Sequence, residues 1–126
     1  MIVSWEVEYT DEFNEWWEGL TEIQQTKLRA SVLLLRDLGA ILEFPHSSKV
    51  KGSAYSEMRE LRVQCQGRPF RVLYAFNPQR AAILLIGGDK TGKDRWYEIN
   101  VPIADRIFRE HLSELRKESE HGPKIQ

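Results

Sequence analysis

Three residues in the middle of the chain, Glu60, Arg62 and Arg71, have the side chains best suited to chemistry. In Met58-Arg59-Glu60-Leu61-Arg62-Val63 the pattern alternates, so a strand sends Glu60 and Arg62 to one face and Arg59, Leu61 and Val63 to the other. Arg71 belongs to a second run, Arg68-Pro69-Phe70-Arg71-Val72-Leu73-Tyr74, that follows a turn and folds back beside the first. Cleaving RNA without a metal needs a base for the 2′-hydroxyl, cations for the charge on the pentacovalent phosphate and an acid for the departing 5′-oxygen. Glu60, Arg62, Arg71, Lys90 and Tyr97 are the candidates for those tasks. Arginine suits the phosphate because its planar fork donates two parallel hydrogen bonds and stays charged. The bland alternative is that Glu60 pairs with Arg62 or Arg71 as a solvated ion pair across a half-exposed sheet.

Further cations surround this set. Lys49, Lys51, Lys93 and Arg95 are candidate RNA-binding residues, and Tyr97 could stack on a base or transfer a proton. For Arg95 and Tyr97 a polar edge strand explains the residues equally well. Residues 49–95 hold ten Lys or Arg against four Asp or Glu, a local balance of +6, whereas residues 1–22 hold seven acids and no base. A net charge of −1 therefore conceals a polarised chain whose basic half attracts polyanions. His46, His111 and His121 show no partner for a catalytic dyad, and a surface role suits His111 best. Cys65 stands alone, so it makes no internal disulfide and reads as a strand residue. No metal or cofactor is called for.

The elements that must position these residues are legible as periodicities. At 126 residues and 41% apolar the chain is read as one domain, residues 1–118, with a polar tail at 119–126. The longest apolar run, Ala81 to Ile86, is too short to span a membrane, and the start lacks a leader's basic and apolar regions, so a cytoplasmic protein is expected. Ile2 to Tyr9 alternates as a strand. Thr10 or Asp11 caps a helix carrying Phe13, Trp16, Trp17 and Leu20, and Thr21 with Gln24 forms a capping box for a second helix that Gly39 ends. Ala40 to Tyr55 reads as a loop. Strands follow at Glu57–Cys65, Phe70–Phe76 and Ala81–Ile86, Arg95–Ile99 alternates like a short strand, and Asn100 caps a last helix running toward Lys117. The expected fold is α+β: a helical hairpin on one side of an antiparallel sheet of four or five strands, with a C-terminal helix near its edge.

Gly87-Gly88-Asp89-Lys90-Thr91-Gly92-Lys93 has the glycine and lysine spacing of a phosphate-binding loop. Asp94 stands where that loop needs Ser or Thr for magnesium, so the segment reads instead as a flexible basic loop beside the sheet.

The runs Met58-Arg59-Glu60-Leu61-Arg62, Arg68 to Phe76 and Ile83 to Lys90 resemble the core of the RelE/HigB toxin superfamily, in its HigB-like or Gp49-like branch. Many members of that group end the last strand with an aromatic residue and a lysine pair, whereas here Lys90 and Lys93 are spread apart. The resemblance implies a RelE-like fold and a toxin of a type II toxin-antitoxin pair, a metal-independent endoribonuclease that cuts mRNA on translating ribosomes. It implies a cognate antitoxin as partner, with operator DNA bound only through the antitoxin complex, and no membrane. Two other readings stay open: a module that occupies RNA or the ribosome without cutting, and a subunit that mainly serves a protein complex.

Overall fold

Residues 4–121 are described by the structure, a computed structural model. Ile2 and Val3 of the expected first strand, the first residues of the expected leaderless start, and residues 122–126 of the expected tail lie outside the described residues. The order is β1 (Glu6–Tyr9), α1 (Asp11–Glu18), α2 (Glu22–Leu38), a 3₁₀ turn (Gly39–Ile41), β2 (Ser47–Lys49), β3 (Arg59–Cys65), β4 (Arg68–Phe76), β5 (Ala81–Asp89) and α3 (Trp96–His121). Local signals account for the hairpin. Thr10 accepts a hydrogen bond from the Phe13 N–H, and the Thr21–Gln24 capping box is made in both directions, which satisfies amide groups that a helix start leaves open.

The five strands form one sheet in the order β1-β5-β4-β3-β2. The helical hairpin packs on one face, where Phe13, Leu28 and Leu35 meet Leu61, Val63, Val72, Tyr74 and Leu84. On the other face α3 places Trp96, Val101, Ala104, Ile107 and Phe108 on Leu73, Ala75, Ile83 and Leu85. A helix on each side explains why β4 and β5 read as continuous apolar runs.

Five expectations need correction. The sheet is mixed, because β1 pairs with β5 in parallel while the other pairings are antiparallel. Within the expected loop, Ser47–Lys49 forms β2, a strand of three residues and too short to show a period. Arg95–Ile99 is no strand, since α3 opens at Trp96 and runs past Lys117 to His121, with Pro102 inside it. The Asn100 side chain donates to the Trp96 carbonyl within that helix rather than capping it. Finally, α3 covers a sheet face and not an edge, because its apolar stripe has the buried side of β4 and β5 to cover.

The two adjacent glycines belong to β5. Between Leu73 and Tyr74 the β4–β5 register slips and Leu85 becomes an extra residue, so side-chain alternation reverses beyond it. Thr10 donates to the Leu85 carbonyl at 2.8 Å. A methyl group on Gly87 would lie 2.2 Å from the Trp16 ring, and one on Gly88 would lie 2.6 Å from the Trp96 ring on the opposite face. The pair therefore admits an indole on each side of the sheet. Gly87→Ala and Gly88→Ala should each cost about 1–3 kcal/mol as overpacking. Gly19→Ala, whose methyl would meet only the Trp16 carbonyl at 3.6 Å, should change little. Thermal unfolding of the three variants checks this, and equal midpoints would refute the close packing.

Candidate active site

Register brings the predicted side chains together on the α3 side of the sheet. β2 sets Ser48 opposite Glu60, and β3 sets Arg62 directly opposite Arg71 on β4. Two like charges facing each other across strands repel. Glu60 lies diagonal to Arg71 and offsets that repulsion, with Arg62 Nη1 at 3.2 Å from its Oε2 and Arg71 Nε at 3.5 Å from its Oε1. The Ser48 hydroxyl donates to Glu60 Oε2 at 2.6 Å and the Tyr97 hydroxyl donates to Oε1 at 2.6 Å. Arg71 is tied further, donating from Nε to the Tyr97 oxygen at 3.2 Å and from Nη1 to the Phe70 carbonyl at 2.9 Å.

The cluster differs from the expected solvated pair. The side chains of Glu60 and Arg71 are 5% and 8% exposed, whereas that of Arg62 is 30% exposed. Burying a carboxylate is costly unless its lone pairs are occupied, and here donors from four elements occupy them. Arg62 is the accessible guanidinium, and Arg71 lies behind Tyr97. Burial pushes the Tyr97 phenol up from its ordinary value of 10.0, the Glu60 carboxylate adds to the rise, and Arg71 opposes it. At neutral pH the phenol is therefore protonated and can donate.

Lys90 completes the group from the turn after β5, its Nζ lying 5.4 Å from the centre of the Tyr97 ring. Asp89 holds that turn by accepting hydrogen bonds from Thr91, and it pairs with Arg68 at 2.8 Å. Burial acts to raise the Asp89 carboxyl, but Thr91 and Arg68 outweigh it and keep it below its ordinary value. Lys93 shares with Lys90, Pro69 and Tyr97 an open groove of about 460 Å³. The other predicted cations lie apart from the carboxylate. Lys49 pairs with Arg59 in register, which puts it on the hairpin face. Lys51 is exposed in the turn beyond β2, and Arg95 is held by Glu98 at 2.9 Å. His111 bonds the Asn77 side chain at 3.0 Å, away from the cluster. Ser48 was missed by sequence reasoning because β2 is too short to announce itself, and Asp89 because it sat within an apparent loop motif.

A five-stranded sheet with a helical hairpin on one face, a long helix on the other and this ionic cluster on the helix side defines a small α+β class of fold. Solved structures bear this out at the level of the fold. A double mutant of E. coli toxin RelE in the free state has a TM-score of 0.52 at 8% identity, covering 88% of this chain and 97% of that one. A chain of the archaeal RelE–RelB complex from Pyrococcus horikoshii OT3 has a TM-score of 0.52 at 12% identity, covering 69% of this chain and 96% of that one. The family profile described as "Phage derived protein Gp49-like (DUF891)" matches residues 15–109. Two proteins of Mycobacterium tuberculosis (strain ATCC 25618 / H37Rv), named as toxins, are similar in sequence: HigB3 is 40% identical over 108 residues and HigB2 is 35% identical over 115. The matched region is 85% of this chain and 89% of HigB3, and 90% of this chain but 57% of HigB2. The chain belongs to the Gp49-like family, within the RelE/HigB toxin superfamily.

Two outcomes test the cluster. Glu60→Ala leaves Arg71 buried without its counter-charge and should cost about 3–5 kcal/mol in urea unfolding. A loss no larger than that of an exposed carboxylate would show that the pairing is not what stabilises this region. For Tyr97 the folded value exceeds the unfolded one, so its contribution is complete below 10.0 and is lost as pH rises through the folded value. Tyr97→Phe should remove that alkaline loss, and matching pH profiles for the two proteins would contradict the assignment.

Proposed function

We propose that this protein is the toxin of a toxin-antitoxin pair and cuts mRNA on translating ribosomes without a metal. The observation that carries the reading is the convergence of Glu60, Arg62, Arg71, Tyr97 and Lys90 on one face, an assembly of base, cations and acid. Arg62, the exposed guanidinium, and Lys90 receive the scissile phosphate. When Arg62 turns from Glu60 to that phosphate, Oε2 is freed to take the proton of the 2′-hydroxyl. The 2′-oxygen then bonds to phosphorus, the bond to the 5′-oxygen breaks, and Tyr97 gives that oxygen its proton. Arg71 positions Tyr97 and stabilises its phenolate afterwards.

The names of HigB2 and HigB3 and the RelE–RelB complex support a toxin restrained by a cognate antitoxin. An acidic antitoxin segment would cover Arg62 and Lys90 or displace α3, and operator DNA would be bound through the antitoxin. Action on ribosomes would place the protein in the cytoplasm; among the described residues no helix is long and apolar enough to cross a membrane. One observation favours occupancy of RNA without cutting: the lone pairs of Glu60 are already engaged.

Expression alone and with the neighbouring gene separates these readings. Growth arrest relieved by the neighbour, with new mRNA ends in a translating extract, supports cleavage, whereas arrest without new ends supports occupancy. Arg62→Ala should fold and lose roughly 10²–10³ in rate, the cost of one preorganised donor. Arg71→Lys should also be impaired, since lysine keeps the charge but not the Nε contact to Tyr97. Arg80→Ala, in the turn at the opposite end of β4, should have little effect. Full toxicity of folded Arg62→Ala and Arg71→Ala proteins would defeat the site assignment.

A further inference from the structure

Phe44 has no part in the chemistry above, yet it stands beside it. It is 71% exposed in the turn before β2. Leaving a phenyl ring in water forgoes roughly 1.5–3 kcal/mol of burial. The turn is nonetheless held firmly. The Glu43 carbonyl accepts from the N–H groups of His46 and Ser47 at 3.0 and 3.1 Å, and the His46 carbonyl accepts from the Arg62 N–H at 2.9 Å. Arg59 Nη2 donates to the Leu42 carbonyl at 3.3 Å. The backbone that carries this exposed ring is thus anchored to β3.

The Arg62 guanidinium carbon lies 5.1 Å from the centre of the Phe44 ring. Arg62 is the group that takes the scissile phosphate in the proposed reaction. Proteins that hold single-stranded nucleic acid set an aromatic face beside a cation, because successive nucleotides present a base next to each phosphate. We infer that Phe44 is a base-stacking residue, which holds the nucleobase next to the scissile phosphate of a single-stranded RNA and biases the cut toward bases that stack well. This inference rests on the proposed function. The backbone that carries the ring needs no ordering on binding, which lowers the cost of the stacking contact.

The test compares the wild type, Phe44→Leu and Phe44→Trp in a translating extract, with mRNA ends mapped and folding checked by circular dichroism. Phe44→Leu keeps apolar bulk without a π-face and should cut about five- to 150-fold more slowly, the range that base stacking spans. It should also lose purine preference at one nucleotide flanking the cut, and Phe44→Trp should retain both rate and preference. If Phe44→Leu cuts at the wild-type rate and sites, the inference fails while the proposed function stands. A slower Phe44→Leu protein that keeps the wild-type base preference overturns it in favour of simple packing on Arg62, since the indole of Phe44→Trp would hold that cation as well as a base. Weaker binding of Phe44→Leu to the antitoxin, with unchanged cutting, overturns it in favour of a protein contact. If the wild type makes no new ends and Arg62→Ala remains toxic, the proposed function itself is lost and the inference with it.

Discussion

A carboxylate removed from water must replace its hydration with donors, and Glu60 does so with four side chains from four elements: Ser48 on β2, Arg62 on β3, Arg71 on β4 and Tyr97 on α3. No one of those elements can move by a residue without leaving charge or a lone pair unmatched. The register of the sheet, the pairing of its shortest strand and the docking of the last helix are therefore coupled to one buried anion. The same anion permits two arginines to face each other across strands, an arrangement that would otherwise be repulsive.

What brings α3 to that anion is packing of another kind. The extra residue in β5 reverses its alternation, and Gly87 and Gly88 then open both faces of the strand to indole rings. Trp96 seats against Gly88 at the start of α3, and the next residue is Tyr97. An apolar contact thus sets where a phenol meets a carboxylate. Beyond it, Asp89 uses Thr91 and Arg68 to shape the turn that holds Lys90 over the Tyr97 ring. Packing and electrostatics act here on consecutive residues of one segment.

Likeness to solved RelE and RelE–RelB structures at 8–12% identity establishes a fold, and folds do not specify reactions. The sequence likeness to HigB3 and the Gp49-like profile place the chain within its family. The case for chemistry rests on the site itself: an exposed arginine, a buried one behind a tyrosine kept protonated, and a lysine above its ring.

Residue order alone determined a good deal. Capping chemistry at Thr10, Thr21 and Gly39 is local, and so the helical hairpin was legible to within a residue or two. Alternation in β3 is also local, and it put Glu60 and Arg62 on one face, with Arg71 a candidate from the adjacent strand. Other features were decided only by tertiary structure. Ser47–Lys49 is a strand because β3 offers it an edge, and three residues carry no period of their own. Arg95–Ile99 alternates over only five residues, and from Trp96 onward it became helix because the Trp96 ring finds its place against Gly88. The parallel pairing of β1 depends on which edge of the sheet remains open once β3, β4 and β5 have formed a meander. Burial of Glu60 likewise arises only when α3 closes over the sheet, since charge and spacing are properties of the chain but removal from water is a property of the fold.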